Sequence, residues 1–382
     1  MRRFLPALSL LLLVAATPAA ASNLAEEIAK VEKIRGLGFR HEVRTVTVGR
    51  AEITERLRAQ IGKTMPYSLD DYFLVLRSLH LVDGENEALE AKLFSLLEQQ
   101  VLAWYDPHGH VYYAVDETPE NFPSMVPASM IAIHELTHAL QDQHFDIGRR
   151  DLALRDDWDA SLAYHAVIEG EATLVMMAAL VESFGASLDE VVRTELFTGK
   201  LLEAAGAAGA IDPSAPSYFV ESLKFPYLAG LTLVVEAYKR GGWKAVGALH
   251  ADPPRSTREV LHLDEYFRRV ESGSPPALPF RQPAAARSRL AAIRLGEFHW
   301  DFLLGDTSGW RSDEVTIVQN AACEPTVLVT AEWDSEADAA AFAGKFEAFL
   351  SERAPRVRLV RQGTKVRAAW GADRTLIAGF VR

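Results

Sequence analysis

The pentapeptide His134-Glu135-Leu136-Thr137-His138, set in the apolar run 131–141, constrains this chain more than any other stretch. Met130, Ile133, Leu136 and Leu140 around it recur at helical spacing and predict a mostly buried helix. At 3.6 residues per turn the two histidines lie about 40° apart on one face, and Glu135 projects to the side of that face. Two imidazoles one turn apart can hold a zinc ion, and the adjoining carboxylate can take a proton from a water that the ion activates. A helix formed only to be buried has little use for such a stripe, since each uncompensated polar group costs about 1–3 kcal/mol. His134, Glu135 and His138 therefore read as a metal site with a general base; the bland alternative is a chance match on a solvated face.

A catalytic zinc usually keeps three protein ligands and one open position. Two residues compete for the third place. His144 stands ten residues after His134, the spacing of the metzincin pattern H-E-x-x-H-x-x-G-x-x-H, but the turning glycine of that pattern is Gln141 here. A helix continuing through Gln141 rotates His144 about 240° from His138, away from the metal. Glu169 stands 31 residues after His138 (169 − 138), on a second long helix expected over 159–183. The pattern Glu169-x-x-Ala172 resembles the second-helix signature E-x-x-A-D of the gluzincin metallopeptidases, and the resemblance covers roughly 104–176. It implies zinc held by His134, His138 and Glu169, Glu135 as general base, a short sheet with an edge strand beside the substrate, and hydrolysis of peptide bonds. The chain departs from the family at Thr173, which replaces the aspartate that orients a ligand histidine. His165, one turn before Glu169, is either a contact or ligand at the metal or a core histidine, and the small Ala172 suits close helix packing. Glu171 lies about 200° around the helix from Glu169, so only one of the two faces the metal. Tyr227, His262 and Arg255 are candidates to stabilise an oxyanion, with structural roles as their alternative.

The remaining sequence sets the context. Length suggests two domains, or one large domain with an appendage. A formal charge of −12 argues against a nucleic-acid partner, which favours a basic surface. Arg2 and Arg3, the apolar run 5–16 and Ala19-Ala20-Ala21 read as a signal peptide (1–21) that directs export; a membrane anchor is the alternative. No later segment reads as membrane-spanning. The one cysteine, Cys323, cannot form an internal disulfide and is expected to be partly buried and inert.

Helices are expected over 25–34, 53–61, 69–80, 86–99, 225–240 and 243–250, the last two parted by Gly241-Gly242. A strand is expected over 43–48 and a hairpin over 102–107 and 110–115, just before the histidine helix. His108 and His110 at its turn are ligands for a second metal or, more simply, loop residues. A charged loop is expected over 148–157 and an Ala/Gly/Pro loop over 204–216. The fold class is α+β, mainly helical: a zincin-like metallopeptidase domain (22–271) with a short sheet, a linker (272–295), and a small C-terminal α/β module (296–382). Strands are expected there over 315–318, 326–331, 357–361, 365–370 and 375–380, with a helix over 337–350. The expected activity is that of an exported zinc-dependent metallopeptidase acting on a peptide or protein substrate. Its rivals are a non-catalytic, metal-stabilised binding or scaffold protein and a metzincin-like peptidase using His144.

Overall fold

The computed structural model describes residues 24–64, 67–116, 127–194, 214–274 and 289–381. The expected signal peptide and most of the expected loop 204–216 and linker 272–295 lie outside them. The first half runs α1 (Ala25–Arg35), β1 (Arg44–Val48), α2 (Arg50–Thr64), α3 (Leu69–Ser78), α4 (Asn86–Gln100), β2 (Ala103–Asp106), β3 (Val111–Val115), α5 (Ala128–Phe145), α6 (Ile147–Leu154), α7 (Trp158–Ser183) and α8 (Leu188–Val192). The second half runs α9 (Ser217–Ala251), α10 (Thr257–Leu261), α11 (Leu263–Glu271), β4 (Arg289–Ile293), α12 (Glu297–Leu304), β5 (Trp310–Gln319), β6 (Pro325–Trp333), α13 (Glu336–Arg353), β7 (Arg358–Gln362), β8 (Lys365–Gly371) and α14 (Arg374–Phe380). The class is α+β, mainly helical, with two small sheets.

Helices apolar on every side must be central, and α5 and α7 are. Every residue from Met130 to Asp142 in α5 is buried, as is every residue from Asp159 to Ala179 in α7. Asp157 caps α7 by accepting from Ala160 N–H at 3.0 Å. Helix α9 then crosses α7 with no side chain between the two backbones. A Cβ on Gly170 would stand 2.3 Å from the Gly230 carbonyl oxygen, and one on Gly230 would stand 2.1 Å from that of Ala166. Only glycine fits at either position.

Helix α9 corrects the expectation that no later segment suits a bilayer: it is long and apolar enough to cross one. The helix expected over 225–240 begins instead at Ser217, and Gly241 and Gly242 take non-helical backbone angles that kink it further on. Its apolar window is 67% buried against the rest of the fold, as in the core helix of a globular protein.

One further local expectation changes here. Asp146 ends α5 in the left-handed region (φ 54°), and the chain restarts at once as α6 where a charged loop was expected. Gly148 of α6 lies against the Pro107 carbonyl, so the tip of the β2–β3 hairpin seats on this helix. The hairpin belongs to a three-stranded sheet of order β1-β3-β2, in which β1 is parallel and β2 antiparallel to β3.

The five-stranded C-terminal sheet has the order β4-β5-β6-β8-β7 and is antiparallel throughout. β4 corrects the expected linker, since 289–293 pairs with β5. The stretch expected as a strand over 375–380 is the helix α14, because Asp373 caps it by accepting from Thr375 and Leu376 N–H, both at 2.9 Å. Nor is this sheet an appendage. Its inner face (Val315, Ile317, Val329, Trp370) shares one buried cluster with Phe342 and Phe346 of α13 and with Phe73 and Leu76 of α3. Trp370 Nε1 donates to the Ser78 carbonyl at 3.0 Å across that junction. Asp313 fastens the other end, accepting from the Leu295 and Gly296 N–H groups and from the indoles of Trp300 and Trp310.

Candidate metal centre

The α5–α7 packing brings His134, His138 and Glu169 together in the interior; their exposures are 0%, 8% and 0%. His134 Nε2 lies 3.1 Å and His138 Nε2 3.4 Å from Glu169 Oε2, and the two Nε2 atoms are 3.0 Å apart. Ligand atoms around a tetrahedral metal with bonds of about 2.0–2.2 Å stand about 3.3–3.6 Å apart. The cluster is within a few tenths of an ångström of that spacing and could hold a metal ion.

The donor chemistry agrees. Gln141 Nε2 faces two groups that can only accept, the Ile168 carbonyl and the Glu171 carboxylate, each at 3.0 Å. Its Oε1 must therefore be the atom 2.9 Å from His138 Nδ1, so that nitrogen carries the proton. The Nε2 of a neutral His138 is then a lone pair, aimed at a carboxylate oxygen and a second imidazole nitrogen. Such a convergence of acceptors needs a cation or a proton at its centre. The electrostatics point the same way. Burial alone would push the Glu169 carboxyl up, but His138 and His134 hold it well below the usual carboxylate range. Burial alone would push His138 down, and Glu169 reverses this and holds it up.

Glu135 is beside the cluster, within electrostatic reach of His138 and Glu169. The Tyr105 N–H of the edge strand β2 donates to its Oε2 at 2.8 Å, while Oε1 is buried with no partner. Burial pushes its carboxyl up to about 8; the charge of Glu169 adds to this, and His138 and the Tyr105 N–H oppose it. A carboxyl poised near neutral pH suits a group that takes and returns protons.

Tyr227 reaches the cluster because Gly230, one turn further along α9, lets that helix sit directly on α7. Its ring stacks on His134 with centroids 6.1 Å apart and planes 21° apart. Its hydroxyl is buried beside the Glu169 carboxylate, and burial, with Glu169 and Glu135 adding, raises its pKa well above the ordinary value.

The other candidates lie elsewhere. Helix α5 runs straight through Gln141, and His144 hydrogen-bonds the Gly38 carbonyl at 2.8 Å on the outer side. His262 is corrected: its Nε2 pairs with Glu297 Oε1 at 2.9 Å, in the seam between the α10–α11 junction and α12 and not at the cluster. Arg255 donates to the Ser274 carbonyl in the same neighbourhood. His165 donates Nδ1–H to the Ser161 carbonyl at 2.7 Å and points Nε2 at Asp151, 3.4 Å away. His108 lies 3.9 Å from the same Asp151, and His110 bonds Asp142 at 2.7 Å. Cys323 is exposed, contrary to expectation, at a tight turn with φ 58°.

Residues 286–378 match a protein family described as Domain of unknown function (DUF8575). The match covers the C-terminal sheet and leaves His134, His138 and Glu169 outside it. No curated protein and no solved structure matches the chain.

Sequence reasoning missed Gln141 and Glu171 as partners of the site. Gln141 follows His138 by three residues and so shares its helix face, which was the available signal. Glu171 faces away from the His134, His138 and Glu169 cluster, toward Arg35 Nε and His250 Nε2, each at 2.5 Å.

Proposed function

We propose that the protein is an exported zinc-dependent metallopeptidase of gluzincin type, with His134, His138 and Glu169 holding the ion. Two imidazoles and one carboxylate are a common donor set for a hydrolytic zinc. Zinc bound there supplies a Lewis acid that polarises a carbonyl and lowers the pKa of water. The chain's own groups do the rest. Glu135 Oε1 accepts a proton from the attacking water as the carbon–oxygen bond forms. It returns that proton to the amide nitrogen as the carbon–nitrogen bond breaks. Tyr227 O–H donates to the oxygen that gains negative charge. The edge of β2, which already anchors Glu135, offers an extended peptide main-chain hydrogen bonds.

The observation that carries this reading is the unpartnered Oε1 of Glu135, buried beside three converging ligands. A group kept only for structure has no reason to bear the cost of about 1–3 kcal/mol for an unsatisfied buried acceptor. The depth of burial favours a second reading, a metal-stabilised scaffold, since all three ligands are almost fully enclosed.

The test is hydrolysis of a quenched-fluorescent peptide library by the purified mature chain. Removal of metal with 1,10-phenanthroline is expected to abolish turnover, and one equivalent of zinc to restore it. A zinc-loaded protein that cleaves no peptide, while losing thermal stability on chelation, supports the scaffold.

A further inference from the structure

We propose that Gln141 is the positioning residue of the metal centre. It locks His138 in the tautomer that presents Nε2 to the ion, and it is itself locked by Glu171, Arg35 and His250. The inference rests on the reading that a divalent ion sits among His134, His138 and Glu169.

The two histidines of the cluster are held differently. His134 Nδ1 is buried with no hydrogen-bond partner, and the side chain of Thr173 is likewise unpartnered. His138 Nδ1 instead meets Gln141 Oε1 at 2.9 Å. An imidazole whose second nitrogen donates to a fixed acceptor is held to one tautomer and one ring orientation, and it is the more basic ligand for it.

The acceptor must itself be fixed for this to matter. An amide free to rotate could present its NH2 group to Nδ1, which selects the wrong tautomer. Rotation is blocked here, because Gln141 Nε2 is spent on the Ile168 carbonyl and on Glu171 Oε2, at 3.0 Å each. Glu171 in turn is held in charge and place from two other helices: Arg35 of α1 at its Oε1 and His250 of α9 at its Oε2. Phe145 stacks flat on His250, with centroids 4.1 Å apart and planes within 3°, and the Tyr164 hydroxyl meets His250 Nδ1 at 3.2 Å. The chain of contacts runs from α1 and α9 through Glu171 and Gln141 to His138. The docking of the N-terminal helix thus reaches the ligand sphere.

The test is zinc affinity, measured by competition with a chromophoric chelator on the full mature chain. It compares wild type with Gln141→Leu, which fills the same space without the amide, and Gln141→Asn, which keeps an amide but draws it back from His138. Both variants are expected to bind one zinc with a Kd about 10–100-fold weaker than wild type, the usual effect of losing such a partner. The visible absorption of the cobalt-substituted protein is expected to change with it. Should the Leu variant fail to fold, the Asn variant carries the measurement. Variants with wild-type zinc affinity and an unchanged cobalt spectrum, but a less stable metal-free fold, would make Gln141 a packing residue and overturn the inference. A wild type that binds no zinc would instead overturn the metal reading on which it stands.

Discussion

Replacing Glu135 by glutamine is expected to lower kcat for peptide hydrolysis by about 10²–10⁴-fold, the usual share of a general base, while leaving one zinc per chain. Glutamine has nearly the same shape, and its carbonyl oxygen can still accept from the Tyr105 N–H that holds Glu135 Oε2 at 2.8 Å. What it cannot do is accept a proton at the position of Oε1. The separation of turnover from metal content is the informative part, since a site kept for stability has no turnover to lose. Tyr227→Phe in the same assay removes only the hydroxyl beside Glu169 and keeps the ring against His134. Loss of a transition-state donor is expected to cost about 10²–10³-fold in kcat with KM little changed. A Glu135→Gln protein of full activity would remove Glu135 from the mechanism.

The largest effect on the fold is expected at the crossing of α7 and α9. Gly170→Ala places a methyl group 2.3 Å from the Gly230 carbonyl oxygen and 2.4 Å from its carbonyl carbon. Both are main-chain atoms inside a helix, so no rotamer change relieves the contact and the helices must part. Overpacking of this kind costs about 1–3 kcal/mol, and a rigid backbone obstacle puts it at the upper end. For a chain of this size that is a fall in Tm on the order of 3–4 °C by calorimetry. Because Glu169 adjoins Gly170 and Tyr227 lies one turn from Gly230, parting the helices also spreads the site, and zinc affinity is expected to fall in the same variant. Gly344→Ala in α13 is the control, since nothing lies within 4 Å of the added methyl there. Relieved of glycine's entropy cost, that variant is expected to be unchanged or slightly more stable. Equal losses at 170 and 344 would mean that the crossing is not the tight contact described.

How far the sequence could be read follows from which forces were local. The ligand pair on α5 is a matter of helical period alone, and α5, α7 and the hairpin before them declare themselves by apolar spacing. The place of Glu169 needed one more fact, that the small Ala172 suits close packing of α7 on α5; the separate crossing of α7 by α9 is tightest at Gly170 and Gly230, 60 residues apart (230 − 170), and nothing in either neighbourhood marks the other. The stretch 375–380 is apolar and partly β-branched and reads as a strand. Capping by Asp373 and the packing of Ile377 over Leu328 and Ala369 make it a helix instead. His262 is a candidate oxyanion stabiliser in the sequence, but its partner Glu297 lies 35 positions away in α12. The expected appendage failed for a similar reason, because Phe73 and Leu76 meet Trp370 only once the whole chain has closed. For His262 and the appendage a contact between distant segments outweighed a local preference.

The account depends most directly on the convergence of His134, His138 and Glu169 on one ion. Atomic emission on the dialysed mature chain, with X-ray absorption at the zinc edge, measures that directly in wild type and in Glu169→Ala. The expected result is one zinc per wild-type chain, bound by two imidazole nitrogens and a carboxylate oxygen at about 2.0–2.2 Å, and near-complete loss of zinc in the variant. A wild type that emerges from dialysis without metal, or a Glu169→Ala protein that keeps its zinc with an unchanged edge, would contradict it.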